Sequence, residues 1–333
     1  MVTRLLLLFV LLCFVSVVAS GAVAAQETVS VSDADGLDSV RDDLDGDYVL
    51  VGDIDMSDEG SFEPIGDRDE PFTGSFDGGG NVIEGLTVVR PNSEEVGLFG
   101  ALGDGARVRD VGLEDVDVTG GEKVGGIAGF SRGNVTRSYV TGQVSGEGDD
   151  VGGVIGWQRY GNIANSYSKA DVSGSVAVGG VVGFGTGTIE LTYAAGSVSP
   201  SERSGGVVGQ LGSRHQLAGR ESVLRDSYYD TSATRQNDAV GYARSGAGET
   251  NVENVEGLPT EEMQGSVAEE NMQAFDFVNT WETSGEDYPV LAWQTGVLTG
   301  DGAPLPTPGF GFVVGFFALL ALLSKRLLRP SGG

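Results

Sequence analysis

Apolar and polar residues alternate along the middle of the chain with the period of a β-strand. After Tyr139, small or apolar residues alternate with polar ones in the order Val140, Thr141, Gly142, Gln143, Val144 and Ser145. A repeat of two is typical of a strand with one face buried. Apolar residues do not keep helical spacing over ten positions in this region, because glycine interrupts nearly every window. The pattern predicts short strands and disfavours a helical solenoid.

A glycine-rich heptapeptide recurs through the same region. Four close copies occur, at Val124–Phe130, Val151–Trp157, Val178–Phe184 and Ser204–Gln210. Their leading glycines are separated by 27, 27 and 26 residues, and a degenerate copy, Val96–Gly100, begins 28 residues before the first. Four copies in register exceed what a glycine-rich composition gives by chance, so we interpret them as structural repeats.

Each repeat contains a second element about 14 residues later, a hydroxyl residue followed by tyrosine. The copies are Ser138-Tyr139, Ser166-Tyr167, Thr192-Tyr193 and Ser227-Tyr228, the last delayed by an insertion around residues 214–221. Such a unit cannot bury its apolar face alone, but stacked units form a parallel sheet with a spacing of about 4.8 Å. We therefore predict a β-solenoid in which glycines allow close backbone approach and the tyrosines stack. Outward tyrosines would face ligands such as sugars, whereas inward or half-buried ones would be core, which is the favoured interpretation.

The repeats resemble the GLUG family, found in bacterial and archaeal surface proteins and in some secreted peptidases. Flanking segments match as well: residues 46–55, 64–66 and 72–86 resemble its opening coils, and 228–231, 258–263, 281 and 288–293 its closing segment. The resemblance covers about residues 27–294 and implies an all-β fold, a right-handed parallel β-helix of about 27-residue repeats with terminal caps. It departs from the pattern only in the insertion between Gly212 and Val223. We divide this part into an N-terminal cap with opening coils at 26–95, repeats at 96–234 and a closing segment at 235–300.

Residues 1–25 have the layout of a secretory signal peptide. Arg4 precedes an apolar run from residue 5 to 18, and small residues follow it. We expect cleavage after Ala24 or Ala25. A retained membrane anchor is the disfavoured alternative, because the run is short for a full span. Cys13, the only cysteine, lies in this segment, so the mature protein is expected to lack disulfides and thiolate chemistry.

Residues 301–308 form a proline-punctuated spacer, and residues 309–333 form a hydrophobic tail with a basic end. The apolar stretch would span only about 18 Å as a helix, against a hydrocarbon core of roughly 30 Å. With Pro308, Gly309 and Phe310, the segment closely resembles the PGF-type C-terminal sorting signal of archaeal surface proteins. The resemblance implies recognition by an archaeosortase, removal of the tail and attachment of a membrane lipid. A plain transmembrane anchor is the alternative, and both place the folded part outside the cell.

Composition indicates the environment and excludes some partners. The chain has 55 Gly among 333 residues but only 10 Pro and no three-residue period, which excludes collagen. Acidic residues outnumber basic ones 48 to 20, and the net charge of −28 has the wrong sign for binding nucleic acid. A carboxylate-rich, lysine-poor surface suits concentrated salt. We interpret the protein as halophilic, against the alternative of an ordinary acidic secreted protein; together with this, the resemblance to the archaeal sorting signal implies a haloarchaeal protein.

Few residues suggest chemistry. The only histidine, His215, lies in the insertion, and we interpret it as a solvated loop residue. No phosphate-binding loop precedes Lys123 or Lys169, so nucleotide binding has no support. Three carboxylate pairs could present oxygens to Ca²⁺, although a solvated acidic face is the favoured interpretation: Asp53/Asp55, Asp115/Asp117 and Asp149/Asp150. We assign no catalytic, cofactor-binding or metal-binding residue, and Asn134, in Asn134-Val-Thr136, is a candidate glycan acceptor.

Three functions remain open. The favoured one is a non-enzymatic cell-surface protein, membrane-anchored at its C-terminus, whose solenoid is a structural or adhesive module. Its expected partners, besides archaeosortase and the membrane, are cell-surface glycans or surface-layer proteins. A polysaccharide lyase or hydrolase is the alternative, but it needs basic and acidic residues converging on one strand face, and Arg132, Arg159 and Arg203 are scattered across loops. The third hypothesis, an accessory module of a peptidase, is supported only by the occurrence of GLUG repeats in some secreted peptidases.

Overall fold

The computed structural model describes residues 27–212, 221–244 and 250–296. The strands of these residues are β1 Thr28–Val31, β2 Asp47–Leu50, β3 Ile54–Asp55, β4 Ser75–Glu84, β5 Thr87–Val96, β6 Phe99–Leu102, β7 Arg107–Gly125, β8 Ala128–Ser131, β9 Asn134–Thr136, β10 Tyr139–Gly146, β11 Val151–Gly152, β12 Ile155–Gln158, β13 Asn162–Ala164, β14 Tyr167–Ser168, β15 Asp171–Ser173, β16 Ala177–Gly179, β17 Val182–Gly185, β18 Thr188–Glu190, β19 Tyr193–Ala194, β20 Arg203–Gly205, β21 Val208–Leu211, β22 Ser222–Asp230, β23 Val240–Ala243, β24 Thr250–Leu258, β25 Trp281–Glu282 and β26 Val290–Leu291. The α-helices of these residues are α1 Ala34–Asp38, α2 Thr231–Thr234 and α3 Val267–Asn271, and the 3₁₀ turns are Ser39–Asp42, Thr260–Glu262 and Ala292–Thr295. Within the described ranges, no helix is long and apolar enough to cross a membrane.

Consecutive coils pair in parallel, one repeat apart. Val151 of β11 lies between Val124 of β7 and Val178 of β16, and Val178 is followed by Ser204 of β20. The heptapeptides therefore occupy the same position in successive coils, which confirms the predicted β-solenoid. Most of the described strands form one large parallel sheet, and a second, six-stranded sheet has the order β6, β8, β12, β17, β21 and β23.

The solenoid extends beyond the heptapeptides at both ends. The opening coils pair β1 with β2 and β2 with β4, and Leu37 of α1 is buried in the same apolar interior. Val208 of the fourth heptapeptide pairs with Val240, and β22 pairs with β24 from Ser222 to Asp230. Parallel pairing thus continues to Leu258. Residues 259–296 follow this last coil and contain the antiparallel pair β25 and β26. Hereafter the closing segment means these residues, a narrower range than the 235–300 assigned from the sequence.

Two columns of glycine explain the heptapeptide. A Cβ atom added to Gly125 would lie 2.6 Å from the amide nitrogen of Gly156, and one added to Gly156 would lie 2.5 Å from the amide nitrogen of Val124. The next coil repeats the relation, since a Cβ atom added to Gly152 would lie 2.5 Å from the amide nitrogen of Gly183. The first and last glycines of neighbouring heptapeptides therefore let two backbones approach where no side chain fits.

The hydroxyl residue of the second element lies at a recurring corner. The residue before it has a left-handed backbone in each coil, with φ of 48° at Arg137, 49° at Asn165, 53° at Leu191 and 51° at Asp226. The following hydroxyl is buried: Ser166 Oγ donates to the Ala164 carbonyl at 2.9 Å and accepts from the Ser138 amide at 3.2 Å. These hydroxyls satisfy backbone groups that the turn would otherwise leave buried without partners.

Candidate functional site

The tyrosines of the second repeat element form one stacked column, the tyrosine ladder. Tyr139 pairs in register with Tyr167, and Tyr167 with Tyr193. Their ring centroids are 4.9 Å and 4.7 Å apart, and the ring planes differ by only 3° and 6°. Tyr228 occupies the next position in the same register. The spacing equals one coil, so the predicted stacking follows directly from the parallel pairing.

The ladder belongs to an apolar cluster separate from the solenoid interior, and the closing segment covers it. The Trp281 ring lies 6.1 Å from that of Tyr167 and 5.7 Å from that of Tyr193. Phe275 packs edge-on against Tyr228 at 5.2 Å. No ladder ring is more than 3% exposed. The tyrosines are therefore buried, as the favoured interpretation predicted, but beneath the chain's own closing segment instead of in the interior.

Three of the ladder hydroxyls have a specific acceptor. Tyr193 donates to the Pro289 carbonyl at 2.7 Å, Tyr167 to Oε1 of Gln294 at 3.0 Å, and Tyr139 to the Glu114 carboxylate. Burial raises the pKa of the Tyr139, Tyr167 and Tyr193 hydroxyls well above the ordinary value of 10.0. These side chains remain neutral hydrogen-bond donors at neutral pH, so the ladder suits packing and not proton transfer.

The closing segment runs back along the ladder toward the opening coils. It meets Tyr228 through Ala274, Tyr193 through Pro289, Tyr167 through Gln294 and Tyr139 through Trp293. Trp293 stacks on Tyr139 at 5.6 Å and donates its Nε1 hydrogen to the Arg137 carbonyl at 3.0 Å. Its ring also borders Gly80 of β4, where an added Cβ would lie 3.5 Å away. The described chain therefore ends beside early coils and far from the last one.

Arginine and aspartate converge on the large sheet. Arg137 binds Asp110 in a bidentate manner, with Nε to Oδ1 and Nη2 to Oδ2 distances both of 2.6 Å. Arg109 donates to the same carboxylate at 3.0 Å and also pairs with Asp77. The sequence did not reveal this convergence. Both carboxylates are already bound by guanidinium groups, so the arrangement stabilises neighbouring coils electrostatically.

A second ionic network surrounds Lys123. This residue has a left-handed backbone (φ 53°), and its side chain is 9% exposed. Its ammonium pairs with Glu94 and lies 3.7 Å from Glu95, which Arg68 also approaches at 3.3 Å. Burial raises the pKa of Glu95, and the two cations oppose this shift. Lys123 lowers the pKa of the more exposed Glu94. The network compensates a buried lysine with adjacent carboxylates.

The six-stranded sheet carries a column of rings on its outer side. Its registered positions are Ala101, Phe130, Trp157, Phe184, Gln210 and Tyr242. The Phe130 and Trp157 ring centroids are 5.2 Å apart, and Trp157 lies 5.8 Å from Phe184. These three residues are absent from the interior cluster, and Tyr242 is 45% exposed. Phe130, Phe184 and Gln210 are buried, so only Trp157 and Tyr242 of this column reach the surface.

Arginines lie over the rings of this column. The Arg68 guanidinium is 4.9 Å from the centre of the Phe130 ring and 5.4 Å from that of Trp157. Arg132 also approaches Phe130, at 5.4 Å, and Arg203 lies 5.2 Å from Tyr242. We call residues 68, 130, 132, 157, 203 and 242 the arginine-aromatic face.

Arg132 and Arg159 lie in loops, as predicted, whereas Arg203 begins β20. Arg132 and Arg159 each follow a strand of the six-stranded sheet, and the Arg159 amide donates to the Ser131 carbonyl at 2.8 Å. The two arginines are 27 residues apart, each two positions after the ring that ends a heptapeptide. This 27-residue spacing, equal to one repeat, is the sequence feature that could have predicted that Arg132 and Arg159 lie in neighbouring coils. Arg68 lies in the opening coils, outside any repeat, and only the fold brings it to the face.

A polar cleft lies where the last coils meet the closing segment. It has a volume of about 470 Å³ and is lined by Asp226, Tyr228, Asn254, Glu256, Asn271, Gln273 and Ala274. Asn254 donates to Asp226 at 2.7 Å, and the Tyr228 hydroxyl accepts from the Ala274 amide at 3.1 Å. The lining groups thus partly satisfy one another.

The carboxylate pairs do not assemble a cation site within the described part of the chain. Asp53 accepts from the Val82 amide at 2.9 Å, and Asp55 accepts from the Ser57 amide at 2.9 Å, which contributes to lowering the pKa of Asp55. Asp115 and Asp117 are exposed, whereas Asp150 is buried. No three His, Cys, Asp or Glu side chains in residues 27–212, 221–244 and 250–296 are placed to share a metal ion.

The remaining predicted positions divide between the surface and the undescribed residues. Asn134, the candidate glycan acceptor, is exposed at the start of β9, and its Oδ1 accepts from the Asn162 amide at 2.9 Å. The predicted cleavage residues Ala24 and Ala25, His215, and the sorting residues Pro308, Gly309 and Phe310 lie outside the described residues.

Comparison with known proteins gives two relatives in sequence and one in structure. No family model matches the chain. Halomucin of Haloquadratum walsbyi is 36% identical over 295 residues, covering 74% of this chain but 3% of its own length. A “Putative Gly-rich membrane protein” of Evansella cellulosilytica is 32% identical over 181 residues, covering 50% of this chain and 21% of its own length. The chain thus spans a small part of both relatives.

The structural neighbour supports the fold. The crystal structure of a “putative immunoglobulin A1 protease” from Bacteroides ovatus superposes with a TM-score of 0.58 and covers 79% of this chain and 92% of its own. Sequence identity is 22%, so the likeness concerns the fold alone.

Proposed function

We propose that the protein is a non-enzymatic module of a haloarchaeal cell surface, exported and anchored at its C-terminus, in which the solenoid has a structural or adhesive role. The observation that carries this proposal is the covered tyrosine ladder. Its rings and hydroxyls, which recur in every repeat and would otherwise offer a long binding surface, are buried by the closing segment. The recurring tyrosines thus contribute to packing between coils and against the closing segment.

Similarity to halomucin, a haloarchaeal protein, and to a protein named as membrane-associated supports the surface assignment. The net charge of −28 supports a saline environment, in which carboxylate repulsion is screened within a few ångströms. The expected PGF-type signal supplies the anchor. The described chain ends beside the early coils, where Trp293 rests on Tyr139 and Gly80.

A polysaccharide lyase or hydrolase is the second candidate, and one observation favours it. Asp77, Arg109, Asp110 and Arg137 meet on the outside of the large sheet, as the catalytic groups of such an enzyme would. The bidentate pairing of Asp110 argues for a structural role, because both of its carboxylate oxygens already accept hydrogen bonds from guanidinium groups. The name of the structural neighbour keeps peptide hydrolysis among the activities to assay.

The test is to incubate the purified full chain, in molar KCl with and without Ca²⁺, with acidic polysaccharides and with protein substrates. We expect no release of unsaturated sugars, reducing ends or peptides. Activity that disappears in Asp110→Asn but survives in Asp104→Asn, an exposed aspartate, would favour the enzyme. Localisation is tested separately, by mass spectrometry of the surface form. We expect loss of residues 1–24 or 1–25, loss of the tail and a lipid-sized addition; an intact Gly333 would favour a transmembrane anchor.

A further inference from the structure

We propose that the arginine-aromatic face binds an extended acidic polysaccharide lying along the solenoid axis. This inference rests on the proposed function as a surface module and names the ligand class of that module. It concerns the six-stranded sheet, which the tyrosine ladder and the closing segment leave uncovered.

Chemistry gives the first argument. Sugar rings pack on aromatic faces, and guanidinium groups bind carboxylates and sulfates with directed hydrogen bonds. Trp157 is partly exposed and Tyr242 is 45% exposed, so both rings offer surface. Arg203 lies beside Tyr242 and donates to Gln210 at 2.6 Å, in the column between the two rings. An exposed ring with an adjacent cation therefore lies in the same register column as a second, partly exposed ring.

Charge gives the second argument. In a chain with a net charge of −28, most surfaces repel an anionic polymer. Here, however, Arg203 has no carboxylate within ion-pair distance among the described residues. Arg132 is 3.5 Å from Asp104, a side chain that is 78% exposed and therefore easily displaced. Arg132 and Arg203 can therefore offer guanidinium groups without first breaking a buried ion pair, whereas Arg68 remains paired with Glu95, whose side chain is only 10% exposed.

Geometry limits the shape of the ligand. Trp157 and Tyr242 are separated by three register steps, from β12 through β17 and β21 to β23. At about 4.8 Å per step, the two rings are roughly 14 Å apart. A monosaccharide or disaccharide cannot contact both, whereas a longer chain parallel to the axis can. Affinity should consequently depend on chain length.

The experiment measures binding of polyuronate oligosaccharides to the purified full chain in molar KCl. We expect a decasaccharide to bind about tenfold or more tightly than a disaccharide, because only it spans both rings. Tyr242→Ala and Arg203→Gln should each weaken decasaccharide binding by about tenfold. Arg225→Gln, which removes an exposed charge from the large sheet, is the matched control and should leave binding unchanged. Trp157→Ala is used only where circular dichroism matches that of the parent protein, since this ring also packs on Phe130 and Phe184.

Several outcomes would overturn the proposal. These are equal binding of disaccharide and decasaccharide, equal loss in Arg225→Gln and Arg203→Gln, or equally tight binding of neutral dextran. Single-stranded DNA bound as tightly as the polyuronate would replace a sugar site with a general polyanion surface. Any of these results leaves the surface location and the absence of catalysis intact, so failure of this inference is distinguishable from failure of the proposed function.

Discussion

The side-chain oxygen of Gln294 accepts a hydrogen bond of 3.0 Å from the hydroxyl of Tyr167, 127 residues earlier in the chain. The same oxygen accepts from the Leu291 amide at 2.8 Å. One side chain thus joins the end of the closing segment to the middle of the ladder. Because such a long-range contact closes the fold, its loss should destabilise the protein without altering the coils themselves.

Two substitutions of Tyr167 separate the contribution of its ring to stability from that of its hydroxyl. Tyr167→Phe removes only the hydrogen bond and should lower the free energy of unfolding by about 1 kcal/mol. Tyr167→Ala removes a ring stacked on both sides and should lower it by about 3–5 kcal/mol. Chemical denaturation in molar KCl measures both. Tyr242→Phe, on an exposed ring, is the control and should change little; equal effects of Phe and Ala at position 167 would contradict the stacking.

The glycine columns predict a contrast between two alanine substitutions. Gly156→Ala places a Cβ 2.5 Å from the Val124 amide nitrogen, inside van der Waals contact with backbone that cannot move aside. We expect a loss of several kcal/mol or a failure to fold. Gly52→Ala is the control, because nothing lies within 4 Å of its Cβ position. Similar expression and melting temperatures for the two variants would show that the close approach is not required.

Sequence periodicity predicted the solenoid because parallel pairing places the equivalent residues of successive 27-residue repeats directly above one another. The same logic gave the tyrosine stack between Tyr139, Tyr167 and Tyr193. It could not place the cover of that stack, since the closing segment has no repeat, and contacts such as Trp293 to Tyr139 depend on tertiary packing. The last coil was also hard to delimit, because β24 pairs with β22 without a recognisable heptapeptide. Arg68 contacts Phe130 from a different coil, so no local sequence pattern predicts the arginine-aromatic face.

Salt should stabilise the protein. The net charge of −28 places many carboxylates in mutual repulsion, and screening at molar ionic strength shortens the reach of each charge to about 3 Å. We expect the melting temperature to rise steadily from dilute to molar KCl. A melting temperature independent of salt would show that the acidic surface does not limit stability.

Alkaline pH should unfold the protein cooperatively. Burial raises the pKa of Tyr139, Tyr167 and Tyr193 above the usual value of 10.0, so above about pH 10 the native state binds more protons than the unfolded state. The stabilising effect is therefore complete below pH 10 and is lost as pH rises beyond it. Tyrosinate absorbance and circular dichroism followed together should show ladder ionisation coinciding with unfolding. Ionisation of all nine tyrosines near pH 10 in a folded protein would contradict burial.

The covered ladder is the feature on which the proposed non-enzymatic function rests, and hydroxyl-radical footprinting with mass spectrometry tests it most directly. In the full chain in molar KCl, Tyr139, Tyr167 and Tyr193 should be protected while Tyr242 is oxidised readily. Trp281→Ala, which removes the ring packed on Tyr167 and Tyr193, should raise the reactivity of those two residues and leave that of Tyr242 unchanged. Ladder tyrosines as reactive as Tyr242 in the unmodified protein would mean that the closing segment does not cover them, and that the ladder is open to ligands.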